Sequence, residues 1–344
     1  MNLFKFDPLT KRRMTFKVWD TGIEIPATVV CGKEEGRFAT ISAGVHCREY
    51  IGIQAVQEVT REIDPKNVDG TILFLNCINF EGFIVRSPDV MPQDGKNLNR
   101  VFPGNPDGTS TDRLALWLEE EVVRFTDWLV DLHSGGYSEA LTPHTYFHGT
   151  AAPEVCEVSE KLATLMNVQY RVKSSAQNGF YSWSGQCGVP AIILERGGYG
   201  LTISDEIRAD KADILNVLRG MGSLDDGVPA ICPTQTRIDV GFYLDAPTSG
   251  CWYPRQNPGD FINEGDVIGE FKDIYGDPIM KIEAQATGVI LYQTVTLGLE
   301  KGTPMIAYGR LSGTAMPDEF SCSMEEPDLP VRFIDVSQEF QWHR

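Results

Sequence analysis

RFATISAGVHCREYIG (37–52) opens as a β-rich run that ends in glycine at Gly44. His46 and Glu49 then follow at i and i+3 as helical spacing begins. From residue 51 to residue 63, IGIQAVQEVTREI carries apolar residues at helical intervals. A strand that turns through glycine into such a helix is the repeating unit of an α/β sheet.

The pattern repeats outward from this stretch. TILFLNCINF (71–80) is a continuous apolar run of buried-strand type. DRLALWLEEEVVRFTDWL (112–129) predicts a helix, VDLH (130–133) a short strand and APEVCEVSEKLATLMN (152–167) a helix. PAIILE (190–195) predicts a strand, and SDEIRADKADILNVLRGMG (204–222) a closing helix. The alternation predicts an α/β domain with a mixed, mostly parallel sheet covered by helices. SLDDGVPAICPT (223–234) holds glycine, two prolines and two aspartates, and reads as a linker. Beyond it lie short β-like runs split by glycine turns. The expected organisation is a catalytic domain over 1–225 and a small all-β domain over 226–344. The segment from Gly259 through Leu291 resembles a lipoyl-like barrel-sandwich, but Lys281 lies inside a strand-like run and not at a hairpin tip.

Composition narrows the function classes. The chain has 344 residues, 42% hydrophobic and 23% charged, with a formal net charge of −18. Such an acidic surface repels phosphate backbones and anionic lipid, so neither nucleic acid nor membrane is an expected partner. MNLFKFDPLTKRRMTFKVWD (1–20) lacks the apolar core of a signal peptide, and no run approaches a membrane span. The eight cysteines are scattered without CxxC spacing, which suits reduced, mostly structural thiols of a cytoplasmic protein.

Five histidines are present, and two of them lie at strand ends. His46 and Glu49 can point at one centre across a single helical turn. His133 ends VDLHSGG, and ligands of open α/β sheets gather at the carboxyl ends of strands. Two imidazoles and one carboxylate form the donor set of a catalytic zinc, with one position left open. The bland alternative is a pair of unrelated histidines. Glu195, at the end of PAIILE, is costly there unless it faces a polar site. Beside activated water it could take a proton and return it to a leaving amine; otherwise it pairs with Arg196. The loop 85–104 carries Arg86, Asn99 and Arg100. Guanidinium groups bind carboxylates in bidentate fashion and stabilise oxyanions, although alone this is an ordinary polar loop.

The ordered set HxxE, NLNRVFPG, DLHSGG and LERGG resembles the succinylglutamate desuccinylase/aspartoacylase family, within the wider zinc carboxypeptidase fold group. The motifs span about residues 37–222. The resemblance implies a deacylase with one zinc per chain, held by His46, Glu49 and His133. It implies that Glu195 is the general base and acid, that Asn99 and Arg100 grip a substrate carboxylate, and that Arg86 polarises the scissile carbonyl. It implies that the β domain covers the active-site mouth. The family often has Asp where this chain has Asn97, whose amide oxygen can still accept a bond from a ligand histidine. Tyr181, taken as a substrate contact, joins Trp183, His144 and His148 as candidates for pocket lining or core packing.

The expected function is zinc-dependent hydrolysis of the amide of a small N-acyl amino acid or related amine. The rivals are a metallocarboxypeptidase acting on peptides and a non-catalytic binding protein of the same fold. A homo-oligomer is compatible with either.

Overall fold

The computed structural model describes residues 4, 6–232 and 234–311. β1 (Thr10–Lys17) and β2 (Glu24–Cys31) form an antiparallel pair, followed by β3 (Phe38–Ala43) and α1 (Tyr50–Glu62). β4 (Thr71–Leu75) stops short of the expected Phe80, because Asn79 accepts the Gly82 N–H and caps a short helix, α2 (Phe80–Val85). α3 (Ser110–Glu121) ends before the expected 129. Trp128 already belongs to β5 (Trp128–His133), and Asp127 accepts the Phe38 N–H. Next come β6 (Glu139–Leu141), β7 (His144–His148), α4 (Pro153–Ala163), β8 (Tyr170–Ser174), α5 (Phe180–Gln186), β9 (Ala191–Glu195), α6 (Ser204–Gly220) and β10 (Thr236–Ile238). Sequence patterning missed β1, β2, β7, β8 and α5, which are short or partly polar.

Nine strands form one sheet in the order β1-β2-β4-β3-β5-β9-β7-β8-β10. Pairing is parallel for β4-β3, β3-β5, β5-β9, β7-β8 and β8-β10, and antiparallel elsewhere. β5 is buried throughout and β3 from Ala39 onward, as two covered faces require. One face packs Ile51, Val56, Leu162, Ile214 and Leu218 against the sheet. The other packs Phe16, Leu114, Trp117 and Phe180.

The segment expected to be a linker is pinned to this body. Leu224 bridges Val68, and the Asn216 amide donates to the Ala230 carbonyl at 2.8 Å. The chain leaves the large sheet only after β10 pairs with β8. From there β11 (Gly241–Asp245), β12 (Gly250–Pro254), β13 (Phe261–Ile262), β14 (Val267–Lys272), β15 (Pro278–Glu283), β16 (Gly288–Thr294), β17 (Gly298–Leu299) and β18 (Pro304–Arg310) build two antiparallel sheets. Trp252, Phe271 and Tyr308 centre their shared core. Lys281 lies within β15. β6, which follows His133 by six residues, pairs with β16, so the two parts of the molecule share a strand contact. Among the described residues no helix is long and apolar enough to cross a membrane. Six cysteines are free thiols, while Cys232 is disulfide-bonded, a departure from the expectation of reduced thiols; Cys322 lies outside the described residues.

Candidate metal centre

β3, β5 and β9 are consecutive neighbours in the sheet, and their carboxyl ends deliver the site. Gly44 ends β3 at φ +68°, and a Cβ there would stand 2.7 Å from the Cys77 sulfur, so the turn requires glycine. His46 and Glu49 follow on that turn. Glu49 is the N-cap of α1 but makes no side-chain cap bond. Its carboxylate reaches His46 Nδ1 at 2.7 Å through Oε1 and His133 Nδ1 at 2.8 Å through Oε2. Ligand atoms of His46, Glu49 and His133 all lie within 4.8 Å of one another.

The outer ring nitrogens settle the tautomers. His46 Nε2 lies 3.1 Å from Asn97 Oδ1, and His133 Nε2 lies 3.0 Å from Asp131 Oδ2. Both oxygens only accept, so each Nε2 carries a proton and each Nδ1 faces the centre. Asn97 thus performs the acceptor role expected of it. Asp131 is itself fixed by the Ser42 hydroxyl at 2.7 Å. Asn99 Nδ2 stands 3.3 Å from the same His133 Nε2, but a protonated nitrogen cannot also accept, and the shorter contact to the carboxylate prevails. Two inward imidazole nitrogens and one carboxylate, each backed by a partner, suit a zinc ion.

The electrostatics follow from burial among these charges. Burial opposes ionisation of Glu49, but His46 and His133 overcome it and hold the carboxyl down at about 2. Burial likewise opposes the histidine cations, and Glu49 outweighs it for both; Asp131 adds to the effect at His133. Glu195 stands opposite His133 in the β5–β9 register. Burial pushes its carboxyl up to about 8, with His133 opposing and Glu49 and Glu139 adding. Among the described residues the Glu195 carboxyl has no hydrogen-bond partner, and it is not paired with Arg196 as the bland alternative held.

The remaining expected residues separate. Arg100 is exposed, donates to the Asn99 carbonyl at 2.8 Å and stands within electrostatic reach of Tyr292 in β16. Asn99 is buried, and its Oδ1 accepts the Phe180 N–H at 2.9 Å. Arg86 caps α2 in the left-handed region with an exposed side chain, and its carbonyl accepts from Arg48 at 2.8 Å. Tyr181 is buried and stacked on His148 at 5.1 Å. Trp183 donates to Glu119 at 2.6 Å, while His144 and His148 are buried.

Sequence reasoning missed several neighbours of the site. Asp131 was visible as an acid two residues before His133 in an apolar strand. Arg48, between the two HxxE residues, lies 4.4 Å over the Tyr137 ring. Glu139, Tyr146 and Tyr243 come together only through tertiary contacts: Tyr243 of β11 stands within electrostatic reach of Tyr146 of β7, and Glu195 of both tyrosines.

A mixed sheet that gathers His–Glu–His at adjacent strand ends, with an acid beside them, defines an α/β hydrolytic enzyme. Residues 35–221 match the family model of the succinylglutamate desuccinylase/aspartoacylase catalytic domain, more than half of the chain, and the chain belongs to that family. It is 26% identical over 276 residues to an N-alpha-acetyl-L-2,4-diaminobutyric acid deacetylase of Halomonas elongata, covering 77% of this chain and 78% of the relative. A crystal structure of a succinylglutamate desuccinylase/aspartoacylase from Rhodobacter sphaeroides superposes with a TM-score of 0.78 at 25% identity, covering 90% of this chain and 98% of that one. The product-bound ectoine utilization protein EutE (DoeB) of Ruegeria pomeroyi shares the fold, with a TM-score of 0.78 at 21% identity over 90% of this chain and 97% of its own.

Proposed function

We propose that this protein is a zinc-dependent deacylase that hydrolyses the amide bond of a small N-acyl amino acid in the cytoplasm. The observation that carries the reading is the convergence of His46 Nδ1, His133 Nδ1 and the Glu49 carboxylate, with both outer nitrogens locked by Asn97 and Asp131. His46, Glu49 and His133 would hold one zinc ion, which supplies a Lewis acid that makes water a competent nucleophile near neutral pH. Glu195, adjacent to His133 and free of other partners, takes a proton from the attacking water. It then gives that proton to the leaving nitrogen. Arg100 offers a free guanidinium edge to a substrate carboxylate. The role assigned to Arg86, polarising the scissile carbonyl, rests on the family pattern alone. The Halomonas relative acts on an N-acetyl diamino acid, which favours a short acyl group on an amino acid here as well. The contact of Tyr243 with Tyr146 brings the β sheets beside Glu195 and favours a small substrate over a peptide.

A panel of N-acetyl and N-succinyl amino acids and blocked dipeptides tests this. The zinc-loaded protein is expected to hydrolyse at least one N-acyl amino acid, and Glu195→Gln to keep the metal while kcat falls by roughly 10²–10⁴. Turnover confined to dipeptides, or wild-type kcat in the variant, would overturn the reading.

A further inference from the structure

Glu195 faces the donor set, and the next residue points the other way. Arg196 is 5% exposed and reaches beneath the sheet toward α6. Its Nε lies 2.8 Å from Asp210 Oδ1, its Nη2 pairs with Asp213 Oδ2, and Nη2 also donates to the Asn167 carbonyl at 3.1 Å. Glu206 stands 3.9 Å from Nη1. Asp210 and Asp213 are fully buried. Asp213 is held in turn by the Asn167 N–H at 2.7 Å.

The same helix carries a second buried cation. Lys211, 3% exposed, reaches Glu62 at 2.7 Å and Glu58 at 3.5 Å on α1, the helix that Glu49 caps. α6 is therefore tied by charge both to the strand that ends in Glu195 and to the helix that begins at Glu49. Around Arg196 the backbone is equally constrained. Its N–H donates to the His133 carbonyl at 3.2 Å, and the Gly135 N–H to the Gly197 carbonyl at 3.3 Å. Gly197 adopts φ +84° where a Cβ would lie 2.7 Å from Ile51 Cγ1.

Buried charge clusters of this kind give little stability over apolar packing of the same volume, because desolvation offsets the attraction. Their geometry is nonetheless specific: Nη2 donates to Asp213 and to the Asn167 carbonyl, while Nε is held close to Asp210 as an ion pair without hydrogen-bond alignment. A planar guanidinium so enclosed restricts the placement of the chain that bears it. We propose that Arg196 is a positioning residue, whose anchorage to Asp210 and Asp213 sets the placement of Glu195 relative to His133. The proposal rests on the deacylase reading above. A displacement near 1 Å at a reacting group can cost about 100-fold in rate.

Two variants test it. Arg196→Lys keeps the charge and loses the fork. The triple variant Arg196→Met, Asp210→Asn, Asp213→Asn removes the buried charges together and keeps a folded protein available should the lysine variant fail to fold. Each is assayed for bound zinc, for kcat and KM on the best N-acyl amino acid, and for the acid limb of kcat against pH. The expected result is unchanged zinc, KM within about twofold, kcat lowered about 10- to 100-fold, and a displaced acid limb. Folded variants with wild-type kcat and an unmoved acid limb would overturn the proposal. Hydrogen exchange at residues 195–200 gives a readout that does not need turnover: faster exchange of the Glu195 and Gly200 amides in the lysine variant supports the anchorage, and unchanged exchange overturns it. Wild-type protein that hydrolyses nothing on the panel would refute the deacylase reading while leaving that exchange result to decide the anchorage.

Discussion

Asp131 precedes His133 by one strand repeat, so both side chains emerge on the same face of β5. The carboxylate holds the ring in the tautomer that turns Nδ1 inward, and it is itself buried and held by Ser42. Asp131→Asn keeps the shape and removes the charge that supports the imidazole. Zinc affinity is expected to weaken about 10- to 100-fold, measured by competitive titration with a chelator. An unchanged affinity would mean that the His133 ring is oriented by packing alone. At this scale HxxE, the strand-end His133 and Glu195 were legible, because each is a polar residue where an apolar strand or its turn makes it costly. Arg48 was not, since nothing in HCRE shows that its guanidinium lies over Tyr137.

The loop between α2 and α3 carries Asn97, Asn99 and Arg100, and its position is set by the start of α3. Asp94 accepts both the N–H of Thr111 at 2.8 Å and its hydroxyl at 2.5 Å. Lys96 meets Asp112 at 2.5 Å, and Asp112 also closes the capping box with Thr109. A carboxylate at a helix N-terminus is stabilised there by free N–H groups and the helix dipole. Asp94→Ala is expected to cost about 1–2 kcal/mol in urea unfolding. It should also raise KM through the loosened Arg100 while leaving bound zinc unchanged. A stability loss with no change in KM would separate the loop from substrate binding. Apolar periodicity and glycine punctuation made the main α/β alternation readable. β1, β2 and β8 escaped because a partly polar strand is recognised only by the neighbour it pairs with.

Across the molecule, His144 and His148 are two buried histidines without charged partners, and burial lowers each pKa from 6.5 to about 4. The folded state therefore keeps them neutral while the unfolded chain protonates near 6.5. Between about pH 6.5 and pH 4 the unfolded state binds more protons, so stability present above that window falls as the pH falls. Thermal melts from pH 8 to pH 4 should show a declining midpoint below about 6.5. The decline should be shallower in His148→Phe, which retains a ring to stack on Tyr181. Equal slopes in the two proteins would show that His148 is protonated in the fold.

Apolar runs punctuated by glycine sufficed to determine the α/β class, because each signal is local and strands of a covered sheet must be apolar; the family was carried by the ordered motifs HxxE, NLNRVFPG, DLHSGG and LERGG, whose residues are contiguous in sequence. Only the tertiary structure placed β3, β5 and β9 side by side, since strand order is set by long-range pairing that no local pattern encodes. That adjacency brings Glu195 opposite His133, leaves Arg196 to be gripped by a helix that follows it in the chain, and sets Tyr243 from the β sheets against Tyr146 beside the site.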